Sequence, residues 1–239
     1  MSVSNRTHTN KLSALRKYQI NKYSNQRIQV KTLLHPTYFP DILTFATIIQ
    51  KETIWEVEDN YQKQTYRNRC YICTDQGRHL LSIPIRHVGG KEGRQKCKDV
   101  KLDNSYPWQR QHWRTLETVY RTSPYFEYYE DEIESLFKNE QKFLLDFNLK
   151  TIETICNCLQ IEMPTERTSN YEIDSFDAVD MRLLVNAKKK IKFDQIGYNQ
   201  VFGDRHDFVE NTSILDLLFN EGPNSVSYLK AQNLSFLDA

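Results

Sequence analysis

Glycine and proline are scarce in this sequence, with seven of each among 239 residues. That scarcity disfavours collagen-like, low-complexity and glycine-loop architectures. No apolar run reaches the roughly 18 residues that a membrane-spanning helix needs. The N-terminus carries no apolar segment of the secretory kind. Neither sign of charge dominates: 32 lysines and arginines stand against 31 acids, for a net +1. The molecule as a whole therefore has no electrostatic reason to seek nucleic acid or an anionic membrane. The cysteines number five. An odd count argues against a disulfide framework and for a reducing, cytoplasmic setting. No internal repeat is present.

Aromatic side chains are plentiful, with 14 tyrosines and 12 phenylalanines. A chain of this length can bury a sizeable core. Charge is uneven along it. Residues 1–28 contain Arg6, Lys11, Arg16, Lys17, Lys22 and Arg27 and no acid, which leaves the remainder near −5. We read residues 1–28 as a disordered basic extension, with one helical turn around Leu12 to Tyr18 at most. Residues 29–239 are expected to form a single α/β domain, a mixed sheet flanked by helices.

Expected strands run over Ile28–Leu34, Ile54–Glu58, Thr65–Cys73, His79–Pro84 and Lys98–Leu102, with Asp75-Gln-Gly77 turning a hairpin. Asp41 caps a helix over Ile42–Gln50. Trp108, His112, Leu116 and Val119/Tyr120 recur at helical spacing and share one face. Ser123-Pro124 breaks that helix, and a second follows it to Phe137. Gln141–Cys158 reads as a long amphipathic helix. Val179–Leu184 reads as a strand or short helix. Thr212–Phe219 reads as an apolar helix capped by Asn211 or Thr212 and stopped at Glu221-Gly-Pro223. Ser225–Leu229 adds a short one. Gly89–Gly93 is a loop, and Lys188–Lys190 a solvated corner.

Five places are candidates for chemistry. The stretch Tyr106–Phe137 sets His112 and Arg114 beside Trp108 and the rings of Tyr125, Phe126, Tyr128 and Tyr129, a mass suited to a core or a cleft wall. His35-Pro-Thr-Tyr-Phe-Pro40 joins a strand to a helix, where α/β proteins hold ligands, although no glycine-rich phosphate fingerprint accompanies it. Lys63-Gln-Thr-Tyr-Arg-Asn-Arg69 gathers three cations. Along a strand Arg67 and Arg69 would share a face and hold an anion between them, unless Glu56, Glu58 or Asp59 pairs with them. His206-Asp-Phe208 follows Tyr198-Asn-Gln200. Cys70-Tyr-Ile-Cys73 has zinc-ligand spacing, with Cys97 and His79 or His87 as further ligands, but strand residues three apart face opposite sides, so buried thiols are the plainer reading and no metal is assigned.

In combination, His35-Pro-Thr-Tyr-Phe-Pro40, Tyr61–Ile72, Leu81-Ser-Ile-Pro-Ile85, Asp99-Val-Lys-Leu102, Trp108–Tyr129 and Phe208–Pro223 resemble the WbqC-like family of bacterial proteins, in its shorter Bacteroidetes-like branch. Many relatives begin Gln-Pro-x-Tyr-Leu-Pro-Trp-x-Gly, where this chain has His35, Asp41 and Leu43. The resemblance implies a cytoplasmic role in surface-polysaccharide (O-antigen or capsule) or amino-sugar biosynthesis.

The expected site is a cleft of the 35–40 loop, the 63–69 strand and the 108–129 hairpin. Lys63, Arg67 and Arg69 would hold an anionic small molecule such as a sugar nucleotide. Tyr38, Asn68, Trp108, Arg114, Tyr125 and Gln200 complete the substrate-binding set, and His35, His112 and His206 are the candidate acid–base residues. Acyl or aminoacyl transfer is the concrete reaction. The alternative is a non-catalytic glycan- or partner-binding scaffold. Packing of the three histidines around one pocket would favour the enzyme, and scattering them would favour the scaffold. Nucleic-acid binding through the basic arm is disfavoured. The sequence names no cofactor and no oligomeric state.

Overall fold

The computed structural model describes residues 30–86, 95–173, 178–189, 191 and 193–237. The basic extension, the Gly89–Gly93 loop and His87 lie outside them. Residues 31–239 form one compact unit.

The unit is built on a short parallel sheet. Strand β1 (Lys31–Leu34) leads through a loop into helix α1 (Ile42–Gln50) and returns as β2 (Thr53–Trp55). β1 and β2 pair in parallel, Thr32 opposite Thr53 and Leu34 opposite Trp55. On its other side β1 pairs in parallel with β5 (Ala178–Asp180), far along the chain. A parallel connection needs a crossover, and α1 supplies the first. Asp41 caps α1 as expected, its side chain accepting from the Thr44 N–H at 2.8 Å. Ile42 to Ile48 are all buried, and α1 packs against the helices α5 (Ile214–Glu221) and α6 (Ser225–Ala231).

Antiparallel pairing is present too, in a separate hairpin. β3 (Arg69–Thr74) and β4 (Gly77–Ser82) pair from Arg69 with Ser82 to Thr74 with Gly77. The turn places Gly77 at φ +86°, a conformation that glycine adopts without steric cost. Helices α2 (Trp108–Tyr120), α3 (Phe126–Ser135) and α4 (Leu144–Cys158) complete the domain. In α4, Leu144, Phe147, Asn148, Thr151, Ile152 and Ile155 form the buried face at i, i+3, i+4 spacing. Trp55, Trp108, Tyr38, Phe39, Phe45, Phe126, Phe147 and Phe219 are the large rings of the core. Each stabilises the fold by roughly 1.5–3 kcal/mol relative to an exposed ring.

Three expected elements differ. Residues 66–68 form a 3₁₀ turn that precedes β3, so Arg67 is not a strand residue. The 98–102 strand is replaced by a 3₁₀ turn over Cys97–Asp99 and isolated bridges at Lys101 and Leu102. The apolar helix begins at Ile214 and is capped by Ser213, whose side chain accepts from the Leu215 N–H. The ambiguous stretch after 178 is both things in turn, β5 and then a 3₁₀ turn over Arg182–Val185.

Candidate functional site

The three parallel strands point their carboxyl ends the same way, and charged groups stand where they end. His35 follows β1, Glu56 follows β2, and Arg182 stands two residues beyond β5. In open α/β sheets ligands are held at this edge. The 66–68 turn adds Arg67, and the chain after β2 adds Asp59. Asp59 and Arg67 form a buried ion pair through Oδ2 and Nη2. The same Nη2 donates to His35 Nε2 at 3.0 Å. Glu56 Oε1 accepts from Thr168 Oγ1 at 3.0 Å and from the Glu58 N–H at 2.8 Å. Its Oε2 lies 3.5 Å from Arg182 Nη1.

Arg67 and Glu56 are each 1% exposed. Buried charge is costly unless paired and fully hydrogen-bonded. Here the pairing is incomplete: Glu56 Oε2, Asp59 Oδ1 and Arg67 Nε are buried without a hydrogen-bond partner among the described residues. Such atoms are rare in native proteins and draw attention to a site. Arginine can only donate, so His35 accepts through Nε2. Burial first, and then the Arg67 guanidinium, hold this imidazole well below its ordinary range. Its basic lone pair is engaged by a cation. Burial also pushes the Asp59 carboxyl up, against the pull of Arg67.

The loop from His35 to Pro40 is buried throughout. Asn148 of α4 donates to the carbonyls of Pro36 at 3.1 Å and Arg67 at 2.7 Å, tying the loop to the 66–68 turn. Ser213 Oγ donates to the Phe39 carbonyl at 3.0 Å, and the Ile214 N–H to that of Pro40 at 2.9 Å. Phe39 is held at φ +39°, strained for a bulky residue. The loop is thus a rigid post between the sheet and three helices.

The central aromatic stretch faces inward. Trp108 is 2% exposed and donates through Nε1 to Asn104 Oδ1 at 3.1 Å. His112 Nδ1 lies 2.9 Å from the Tyr38 hydroxyl, and its ring packs edge-on against Trp108 at 5.3 Å. Burial lowers its pKa to about 4, opposed by a hydrogen bond with the Ser82 backbone. The fold therefore holds a neutral imidazole that the unfolded chain would protonate near 6.5. The stability this contributes is complete above the unfolded value and is lost as pH falls towards about 4. The buried, raised carboxyls of Asp41, Asp59 and Asp216 oppose the trend, gaining protons in the fold as pH falls. Comparison with His112→Gln isolates the histidine. Urea unfolding from about pH 7.5 to about pH 4.5 should cost the parent about 2.5 kcal/mol more than the variant. Equal losses in both proteins would refute the assignment.

His206 is elsewhere again. Nδ1 lies 2.8 Å from the Asp207 carbonyl and Nε2 2.7 Å from that of Thr74. Those carbonyls, Asp207's first, raise its pKa. Cys73 Sγ is 3.8 Å from Nε2, but burial pushes that thiol up to about 12, so the pair is no thiolate–imidazolium nucleophile. Gln200 is a brace: its Nε2 donates to the Val209 carbonyl at 3.0 Å and its Oε1 accepts from the Val209 N–H at 2.9 Å. Gln200 Nε2 also donates, at 2.9 Å, to the fully buried Asp216, which accepts from Tyr120 at 2.6 Å and from Tyr198 as well. Gln200 and Asp216 read best as fastenings of the 198–212 segment.

The three histidines thus occupy separate hydrogen-bonded settings and do not converge. Of the expected substrate-binding set, Asn68 is taken up by Tyr61 and by the Ile83 carbonyl, and Tyr38, Trp108 and Tyr125 by packing. Lys63 and Arg114 are exposed. Arg69 differs from all of these. Its side chain is half-buried at the start of β3 and makes no hydrogen bond or ion pair among the described residues. Its Nε is shielded and unpartnered. Sequence reasoning weighed Glu56 and Asp59 only as ion-pair partners. The position of Glu56 directly after a parallel strand was the signal that could have promoted it. No three His, Cys, Asp or Glu side chains among the described residues group as metal ligands.

Known proteins add a family but no reaction. Residues 35–195 match the WbqC-like protein family. An uncharacterized protein of Mycobacterium tuberculosis, Rv1507c, is 27% identical over 199 residues, covering 71% of this chain and 84% of the relative. No solved structure matches. The matched span opens at His35 and contains Glu56, Asp59, Arg67, Arg69 and Arg182. With the strand-end residues and most of the domain inside that span, the chain belongs to the WbqC-like protein family.

Proposed function

We propose that this chain recognises an anionic sugar nucleotide through Arg69 and serves surface-polysaccharide or amino-sugar biosynthesis in the cytoplasm. One observation carries the reading: a half-buried guanidinium that no carboxylate pairs with among the described residues, two positions along the chain from the buried Arg67–Asp59 pair. A planar guanidinium with free donors suits a phosphate. Arg67 supplies no comparable donor set, because Asp59 and His35 already occupy its Nη2.

Acyl transfer onto the bound sugar is the finer enzymatic version. A binding role within a biosynthetic complex is favoured over it by the histidines, since the ring nitrogens of His35 and His112 are engaged. The deciding experiment is thermal denaturation with UDP-N-acetylglucosamine, UDP and acetyl-CoA. Ligand at a hundred times its dissociation constant should stabilise the fold by about 2.7 kcal/mol. The shift should be present with the sugar nucleotide and absent in Arg69→Gln. A shift that survives Arg69→Gln, or no shift with any of the three, would overturn the assignment.

A further inference from the structure

A separate cleft of about 250 Å³ opens on one face of the parallel sheet. The pleat dictates what lines it. Leu33 pairs with Ile54, and Ala178 pairs with Lys31, two residues before Leu33. Side chains alternate across a strand, so Leu33, Ile54 and Ala178 share a face, opposite the one on which Leu34 and Trp55 enter the core. These three form an apolar floor, one residue from each strand. The chain at 166–172 forms the rim, with Ser169 and Asn170 offering a hydroxyl and an amide.

The cleft also reaches Glu56. This carboxylate is 1% exposed, and its two oxygens are treated unequally. Oε1 accepts twice, from Thr168 and from the Glu58 N–H. Oε2 accepts no hydrogen bond from any described residue. Arg182 Nη1 stands 3.5 Å away without making a hydrogen bond to it; the guanidinium donates instead through Nε and Nη2 to Asp180, through Nη2 to the Ile173 carbonyl and through Nη1 to that of Glu172. Arg182 moderates the charge on Glu56 without satisfying it. A buried acceptor left open is costly, and a ligand donor at that point would satisfy it.

The charge of the lining selects the donor. Three carboxylates, Glu56, Glu166 and Glu172, and one guanidinium, Arg167, line the cleft; Lys31 pairs with Glu166 and Arg182 stands beside Glu56, but the atom left open is a carboxylate oxygen. An anion is disfavoured at that atom. A primary ammonium is a compact cation with three rotatable N–H donors and suits a single open carboxylate oxygen. The volume is below the usual range for drug-sized ligands, about 300–1,000 Å³, and suits one six-membered ring. We propose that this cleft binds a monosaccharide-sized compound bearing a primary ammonium, with the ammonium on Glu56 Oε2 and an apolar ring face over Leu33 and Ile54. The inference stands apart from the Arg69 reading, which concerns another group of residues and the opposite charge.

Methyl-labelled protein titrated at constant ionic strength tests it, followed through the Leu33 and Ile54 resonances. Two ammonium probes, glucosamine and cyclohexylammonium, are each compared with a neutral counterpart, glucose and cyclohexanol. At least one ammonium probe should give saturable shifts, with its neutral counterpart at least tenfold weaker. Glu56→Gln should abolish the preference while keeping the acceptor for Thr168. Ala178→Phe fills the floor without touching Glu56 and should abolish binding altogether, which keeps the proposal testable if Glu56→Gln does not fold. Equal binding of charged and neutral probes, saturable shifts that persist in Ala178→Phe, or no saturable shift with either ammonium would overturn it.

Discussion

Replacing Arg67 by methionine is expected to remove about 3–5 kcal/mol of stability at neutral pH, the usual consequence of stripping one partner from a buried ion pair. Methionine preserves much of the volume, so the loss reports charge and not a cavity. Asp59 is 4% exposed, and burial already pushes its carboxyl up while Arg67 pulls it down. Without the guanidinium that pull disappears and the carboxyl rises further. The deficit should therefore shrink on acidification, as Asp59 takes up a proton in the fold. Asp59→Asn added to Arg67→Met should recover part of the loss, and the cycle of four proteins measures the coupling. Chemical denaturation at two pH values is sufficient. An Arg67→Met protein as stable as the parent at neutral pH would show that the pair does not hold the 66–68 turn. The result also bears on function, because loss of binding in an Arg67 variant would follow from loss of this support.

Gly222→Ala should be nearly as damaging. Gly222 ends α5 at φ +51°, ψ −124°, a region that side chains rarely enter. An added Cβ would lie 2.5 Å from the ring of Tyr125. Overpacking costs about 1–3 kcal/mol and the backbone about as much again. Together they should lower the melting temperature by about 5–15 °C for a domain of this size. Gly197→Ala is the control, since nothing lies within 4 Å of its Cβ, and it should change stability by less than about 0.5 kcal/mol. Tyr125→Ala combined with Gly222→Ala separates the two causes: the clash is relieved and the backbone strain stays. Equal melting temperatures for Gly222→Ala and the parent would contradict the packing described. The ring of Tyr125 is thereby assigned to covering the α5–α6 corner.

Much of the architecture was legible because it rests on local signals. Asp41 before Ile42–Gln50 is a cap before a buried helix. Asp75-Gln-Gly77 is a hairpin turn, and the 108–120 periodicity is a helix with one apolar face. The site was harder, for reasons particular residues show. Alternation along an assumed strand put Arg67 and Arg69 on one face, but the 66–68 turn breaks the alternation, buries Arg67 against Asp59 and leaves Arg69 Nε without a hydrogen-bond partner among the described residues. His112 sits on an apolar face, as its spacing implies, and that face is the core itself. Glu56 and Asp59 lie far from Arg182 in sequence. Only the parallel pairing of β1 with both β2 and β5 brings them together, and strands of three or four residues leave little signal of their partners.

The anchoring of the His35–Pro40 loop has a consequence for synthesis of the protein. Its hydrogen-bonding partners include Asn148, Ser213 and Ile214, and the neighbouring strand β1 waits for β5. A nascent chain that has released only its first hundred or so residues can form the β3–β4 hairpin and the α1 segment. It lacks both the third strand and the helix that closes over Phe39. High contact order of this kind slows folding and lengthens the time for which apolar segments are uncovered. Truncation before α5 should accordingly leave a chain that depends on holdase chaperones, with the strained Phe39 backbone relaxed until the last helices arrive.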